Sequence, residues 1–439
     1  MRDINELRAA IKSAVDAEKE QLIEIGRHIW KNPEPGYREV KTSKYLVEKL
    51  KALGLQVKEN LALTGFRADI DTGKPGPTLA IMGELDSLII PTHPEADKET
   101  GAIHACGHNS SATAIIGTAI GLLKSGVLND MSGKIALIAT PAEEGIELEY
   151  RLGLIREGKI GSIAGKPQLI REGVFNDVDL AYMTHLTSGN FGFNDHNGSI
   201  QKIVTFKGKS CHAASPQNGI NAQNAVCLAQ NAIAFMREKY SNSDKIRIHG
   251  IISYCGNSSN VIPDEARMEY MLRAPSIPEL VALGKRFDNA VTHASLAAEC
   301  TCTIDTISGY MPLFDNMKLG QVLKDTVEYL KPGAPFNFNN SFFGSCTDMG
   351  DVASIVPGVH GYCPGYSGAS HSASMHITDE YSSYVTMSML NAELCLNLLY
   401  GDAATAKEIA ADRKGLLSIP EYIKLIDQFD GSITSEYKE

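Results

Sequence analysis

No apolar stretch in this sequence approaches the roughly 20 residues needed to cross a bilayer. The first residues, MRDINELRAAIKSAVDAEKE, are charged and helix-forming rather than a secretory leader. Both absences lead to the expectation of a soluble, cytoplasmic protein. Basic residues are also in short supply. Forty-one Lys and Arg against 52 Asp and Glu leave a formal charge of -11, the wrong sign for nucleic acid or an anionic membrane as the main partner. Nine cysteines, an odd number at irregular spacing, do not form a disulfide framework and are expected to be reduced. Internal repeats and low-complexity segments are missing as well. What remains is an ordinary globular composition, and 439 residues are more than one domain usually takes.

Along the chain, Leu7, Ile11, Val15, Leu22, Ile25 and Ile29 recur at helical spacing. NPEPGYRE interrupts, and a further helix, TSKYLVEKLKALG, stops at Gly54. LALTGFRAD and TLAIMGEL read as strands. The second is nearly all apolar, as a strand covered on both faces should be. IHACGHNSS follows, leading into SATAIIGTAIGLL, which reads as a buried helix. GKIALIAT is a second inner strand closed by PAEEG, the segment 147–172 is partly helical, and VDLAYMTH is a strand ending in His185. Three successive strand ends therefore carry Asp86, Glu143 with Glu144, and His185. The rim above an α/β sheet is where such folds place functional groups.

From about residue 197 the order becomes β-α-β-β-α-β, a self-contained two-layer α+β unit. The expected division is residues 1–196 and 309–439 as one α/β domain, with 197–308 inserted into it. The chain returns with the helix MKLGQVLKDTVEYL, the segments GSCTDMGDVASIVPG and SGASHSASMHITDE, and a long final helix, DEYSSYVTMSMLNAELCLNLL, before a charged tail.

The chemistry points to a metal. Cys106 and His108 flank Gly107, and thiolate and imidazole are favoured zinc ligands. Such a pair alone is weak. Adjacent acids such as Glu143 and Glu144 are most often a solvated strand end. At this rim, however, one carboxylate can reach a metal while its neighbour takes a proton from water. Asp86 suits either a ligand or an acid that fixes a histidine. His185 alone is as easily structural, whereas His371, among Gly, Ser and Ala, has no apolar face to pack against.

HIWKNPEPGYRE, GELDSL, HACGHN, TPAEEG, HAASPQNGINA, NVIPDEARMEYMLR and CTDMGDV together carry a resemblance that runs from about residue 20 to 400. The sequence resembles the M20 metallopeptidase/amidohydrolase family, in the branch whose first ligand is cysteine, and in particular its p-aminobenzoyl-glutamate hydrolase and dipeptidase-like members. The resemblance implies a zinc-exopeptidase-like α/β catalytic domain with an inserted lid that also forms a homodimer. It implies two divalent ions, zinc with manganese or cobalt as substitutes, held by Cys106, His108, Glu144, His185 and His371. His376 competes for the last place, and His104 is expected to be structural. Glu143 would be general base and acid, and Asp86 would orient or tune the ligands. His212 would support the oxyanion, reaching the partner subunit's site, while Asn260 and Arg273 would handle the substrate's polar or carboxylate end. The implied reaction is amide hydrolysis in a small N-acyl amino acid, an aminobenzoyl-glutamate-like compound or a dipeptide. The alternatives are hydrolytic deamination of a small aromatic amine and a catalytically silent binding homologue. Three departures from the family pattern, IIPTHPEADKETGAI before the cysteine motif, IELEYRLGLIREGKIGSIAGKP after PAEEG, and the serines of CGHNSS, lie near the rim and bear on the substrate rather than the reaction class.

Overall fold

In the computed structural model, which describes residues 2–437, the chain divides into two units. One takes the chain as far as Asp195 together with Phe314–Ser341 and Asp351–Ile419. The other takes His196–Leu313, Phe342–Gly350 and the chain from Pro420 onward.

The first unit is built on eight strands: β1 (Val57–Leu61), β2 (Gly65–Asp71), β3 (Thr78–Glu84), β4 (Lys134–Thr140), β5 (Leu180–Thr187), β6 (Phe191–Phe193), β7 (Phe336–Phe338) and β8 (Gly358–Pro364). Their order in the sheet is β1-β2-β4-β3-β5-β8-β6-β7. β3 pairs in parallel with β4 and β5, and β5 with β8. Parallel neighbours finish at one edge, so the residues that end β3, β4 and β5 come together there. Met82 lies opposite Met183; two residues on, Glu84 and His185 are level with each other.

Every residue of β3 is buried, which is why its middle, residues 79–82, is an unbroken apolar run. The helix His108–Lys124 lies on β3 and is buried from His108 to Leu122, because Ile4–Ala17, Lys19–Lys31 and Met387–Leu399 pack around it. A helix covered on all sides has no use for a polar face, hence SATAIIGTAIGLL. Its approach to the strand is very close. A Cβ placed on Gly83 would sit 2.3 Å from the Ser111 carbonyl oxygen, and the Glu84 N–H donates to the Ser111 hydroxyl at 3.1 Å.

Two elements differ from the sequence-based expectation here. LALTGFRAD is not one strand but the turn and second half of a hairpin, with Leu61 opposite Gly65. Ala62 and Leu63 take positive φ values of 45° and 71° in the turn, which aliphatic residues rarely announce. β8 does not stand out from its surroundings in sequence, because GVHGYCP mixes glycine, histidine and proline into a strand too short to show alternation. It is nonetheless an inner strand, buried through Cys363.

In the second unit, Arg247–Tyr254, Glu265–Ala274, His196–Lys207 and Thr301–Ser308 form an antiparallel sheet in that order. Alternate residues of Glu265–Ala274 are buried in a core shared with the helices Ala222–Met236 and Ile277–Ala297. The boundaries drawn from sequence need correction. Phe343–Cys346 pairs with the start of His196–Lys207, and Gly431–Ser435 from the tail adds a strand beside Thr301–Ser308. The sequence-based division puts both segments in the first unit. Strand pairing is satisfied by backbone groups, so the polar sequence GSITS carries little signal of where it docks. Among the described residues, no helix is long and apolar enough to cross a membrane.

The close contact at Gly83 yields a test of how the rim is assembled. Gly83→Ala should destabilise the protein by about 1–3 kcal/mol, the usual range for overpacking, as measured by chemical denaturation. An unchanged midpoint would show that helix and strand are not held in this contact.

Candidate metal centre

Each candidate ligand is placed by the backbone around it. Gly107 has φ 93° and begins the helix His108–Lys124. A Cβ there would meet the Leu186 side chain at 2.8 Å, so only glycine lets the Cys106–Gly107–His108 turn lie against β5, the strand of His185. Cys106 sits just before the N-terminus of this helix, an end whose dipole favours a thiolate. His371, with φ 58°, donates its backbone N–H to the Ala105 carbonyl at 2.9 Å. That bond brings a loop distant in sequence to the cysteine.

Around Cys106 the distances are short. Its Sγ lies 3.3 Å from His185 Nε2 and 3.3 Å from His371 Nε2. His371 Nε2 lies 3.3 Å from Glu144 Oε1. Cys106, His108 and His185 each offer a ligand atom within 4.8 Å of the others, and so do Cys106, Glu144 and His371. Cys106 belongs to both groups, so its sulfur is common to two candidate ligand clusters. His376 is elsewhere: its Nδ1 is 2.9 Å from the Ser374 carbonyl, and it lines a separate cavity with Trp30, Glu95 and Glu380.

The imidazole hydrogens are already assigned by their neighbours. His108 Nδ1 faces the Asp86 carbonyl at 3.0 Å and Asp86 Oδ1 at 3.1 Å. His185 Nδ1 faces the Leu186 carbonyl at 2.7 Å. Each Nδ1 therefore carries its hydrogen, and each Nε2 is the nitrogen that a metal would take. His108 Nε2 and Glu144 Oε1 are buried without a hydrogen-bond partner, although a buried polar atom left unpaired costs about 1–3 kcal/mol. A divalent cation satisfies both. Thiolate, imidazole and carboxylate are a fitting donor set for zinc.

The electrostatics have the same cause. In the absence of a cation, burial and then the Glu144 carboxylate push the Cys106 thiol up. Burial holds His185 down to about 4 and His104 down to about 3. Burial would raise Asp86, but the bond from His108, its charge and the Glu144 N–H bring it to about 2. A positive ion at the site reverses the pressure on the thiol.

Several contributors escaped the sequence reading. Glu39, within NPEPGYRE, accepts the Ala142 N–H at 2.8 Å and the Thr64 hydroxyl at 2.6 Å. Burial and then the Asp86 charge raise it to about 8. Arg151, 1% exposed, donates to the carbonyls of Ile163 at 2.6 Å, Ala142 at 3.3 Å and Glu144. Asp86 Oδ2 accepts the Glu144 N–H at 2.9 Å. The PAEEG turn is thus tied from three sides, and Arg151 belongs to the segment that departs from the family pattern. His360, on β8, lies 5.5 Å from His185, ring to ring. Glu84 and Lys166 form a fully buried ion pair at 2.7 Å. Only the period-two spacing of Glu84 and Asp86 at the end of β3 hinted that both face the same way.

The sequence pattern of peptidase family M20/M25/M40 matches residues 65–394. The chain belongs to that family. Human Xaa-Arg dipeptidase is 29% identical over 385 residues, covering 82% of this chain and 80% of its own. One of the p-aminobenzoyl-glutamate hydrolase polypeptides of Escherichia coli K12 is 30% identical, over 70% of this chain and 63% of its own. Among solved structures, a dinuclear metal-binding M20 peptidase from Bacillus subtilis superposes with a TM-score of 0.64 at 21% identity, over 88% of this chain and 99% of that one. The aminobenzoyl-glutamate utilization protein of Klebsiella pneumoniae gives 0.63 at 17%, over 88% and 98%. These structures share the M20 fold: an α/β catalytic domain with an additional β/α region. With its candidate two-ion site, this M20 chain is a metal-dependent hydrolase.

In the second unit, Cys211–His212 pairs with Val261–Ile262, and the Asn260 carbonyl accepts the Ala213 N–H at 3.0 Å. His212 and Asn260 are therefore neighbours, and both are exposed. Arg273 is not with them. It is half-buried near the far end of Glu265–Ala274, with Nε 3.1 Å from Met271 Sδ.

Because the empty site keeps Cys106 as a thiol and a ligand must be a thiolate, metal loading at neutral pH should release protons. Apparent affinity should fall as pH is lowered. Calorimetric titration in two buffers of different ionisation enthalpy measures this directly. Loading without net proton release would remove Cys106 from the ligand set.

Proposed function

We propose that the protein hydrolyses the amide bond of a small N-acyl amino acid or dipeptide-like substrate, with Cys106, His108, Glu144, His185 and His371 holding two zinc ions and Glu143 moving the proton. The observation that carries this reading is the pair of acids on one rigid turn. Glu144 Oε1 belongs to the thiolate-centred group, and Glu143, 8% exposed, stands beside it with Oε2 4.0 Å from His108 Nε2. The names Xaa-Arg dipeptidase and p-aminobenzoyl-glutamate hydrolase both describe an amide with an amino acid as one half, which supports the substrate class.

Two divalent ions, when bound, polarise a carbonyl and make water acidic near neutral pH. Glu143 takes the proton from the attacking water and returns it to the leaving nitrogen as the amide bond breaks. Asp86 holds the His108 tautomer and, through the Glu144 N–H, the turn that bears both acids. No side chain is consumed as a nucleophile, since Cys106 serves as a ligand.

In the second unit, His212 Nδ1 accepts the Ala214 N–H at 3.0 Å. Its remaining hydrogen is therefore on the exposed Nε2, where it can be donated to a developing oxyanion. We assign Asn260, beside it, to the substrate's polar end. Arg273, well separated from both, is the cation we assign to a substrate carboxylate.

Hydrolysis of N-acyl-glutamates, β-alanyl dipeptides and aryl amides should appear for at least one class and vanish with a chelator. Glu143→Gln should lower kcat by about 10²–10⁴-fold, the usual contribution of a general base, while both ions stay bound. Wild-type kcat in that variant would refute the role given to Glu143.

A further inference from the structure

We propose that Glu84 is an additional ligand of the ion on the His108 side of the centre, aimed by Lys166. This rests on the two-ion site but not on the choice of substrate. Glu84 is the last residue of β3 and is wholly buried. Lys166, from the helix Gly165–Arg171, is also wholly buried and donates from Nζ to Glu84 Oε1 at 2.7 Å. The second oxygen, Oε2, has no hydrogen-bond partner. It faces His108 Nε2 at 3.2 Å, an atom that also has none.

Those two atoms carry the argument. Nδ1 of His108 is committed to Asp86, so Nε2 is the nitrogen that can face an ion. A carboxylate oxygen facing an imidazole nitrogen at 3.2 Å in a site shut off from water needs a positive species between them, a second proton on the imidazole in the empty site or a metal ion in the loaded one. Two ligands each about 2.0–2.2 Å from one zinc ion span such a separation. Glu84 and Asp86 thus grip one imidazole at its two nitrogens from alternate positions of a single strand end. Glu143 completes a group in which one ligand atom from each of Glu84, His108 and Glu143 lies within 4.8 Å of the others.

A purely structural explanation is weaker. A buried Lys–Glu pair holds a fold together no better than apolar side chains of the same volume, because removing both charges from water is costly. A carboxylate kept only as the counter-ion of Lys166 would also have no reason to leave Oε2 unpaired and pointed at a metal ligand. The pair makes sense if Lys166 occupies one oxygen and so presents the other to the ion.

The test is the double variant Glu84→Gln/Lys166→Met, which removes both charges of the pair at once. Zinc affinity is read by competition with a chromophoric chelator, and the coordination of substituted cobalt(II) by its visible spectrum. The expected result is one ion bound as in the wild type and the other weakened by roughly 10–100-fold or more, the loss typical when a metal site loses a supporting group. The cobalt ligand-field bands should change while the thiolate charge-transfer band persists. Two ions bound with wild-type affinity and an unchanged spectrum would reduce Glu84 to a counter-ion and overturn the proposal. Glu84→Asp, which keeps the charge and withdraws the carboxylate by one methylene, decides the matter if the double variant does not fold. It should weaken the same ion, and unchanged affinity again overturns the proposal. None of these measurements needs a substrate, so failure of the amide screen and failure of this proposal are separate outcomes.

Discussion

A knot of potential metal ligands governs this molecule. The thiol of Cys106, the Nε2 atoms of three histidines and the carboxylates of Glu144 and Glu84 converge at one edge of a sheet. At least three of these atoms, His108 Nε2, Glu144 Oε1 and Glu84 Oε2, are buried without a hydrogen-bond partner. Burial of unpaired acceptors, several of them anionic, is among the costliest arrangements a protein interior can hold. The neighbouring structure makes the arrangement unavoidable. The Nδ1 hydrogens of His108 and His185 are spent on Asp86 and Leu186, Lys166 reaches only one oxygen of Glu84, and parallel pairing brings the ends of β3, β4 and β5 to the same edge. Divalent ions are the species that would turn this crowding into coordination.

The framework that enforces the knot is mostly backbone. The PAEEG turn is fixed by Glu39, Asp86 and Arg151 through peptide groups, so Glu143 and Glu144 cannot drift apart from the ligands. His371 is held by a peptide bond's N–H to Ala105, and Cys106 by the one residue type that fits against Leu186. The pre-organisation that catalysis needs therefore comes from acids and an arginine that touch no substrate. Arg151 shows how a segment foreign to the family pattern can be built into the catalytic turn: its guanidinium holds carbonyls from both sides of that turn.

Much of this is legible in the residues. Apolar runs mark β3, β4 and the helix after the cysteine motif, because strands and helices covered on all sides have no polar face to blur the signal. The rim argument from Asp86, Glu143–Glu144 and His185 needs only strand ends. Glu39, Arg151 and Lys166 are not legible, because a charged residue in sequence looks solvated and only tertiary packing buries it. The hairpin at 57–71 is hidden by aliphatic residues in positive-φ positions. The docking of 342–350 and of the tail onto the second unit is hidden because edge pairing is written in backbone rather than side chains. One short motif, NVIPDEARMEYMLR, groups Arg273 with Asn260, although an extended strand carries its two ends far apart.

The central claim is that one thiolate is shared by two ions. X-ray absorption at the zinc edge of the fully loaded protein tests it most directly. The account predicts two zinc ions per chain and one sulfur neighbour per zinc at about 2.3 Å, since a shared sulfur is counted by both. A single ion, or two ions with an average of half a sulfur or none, would contradict it.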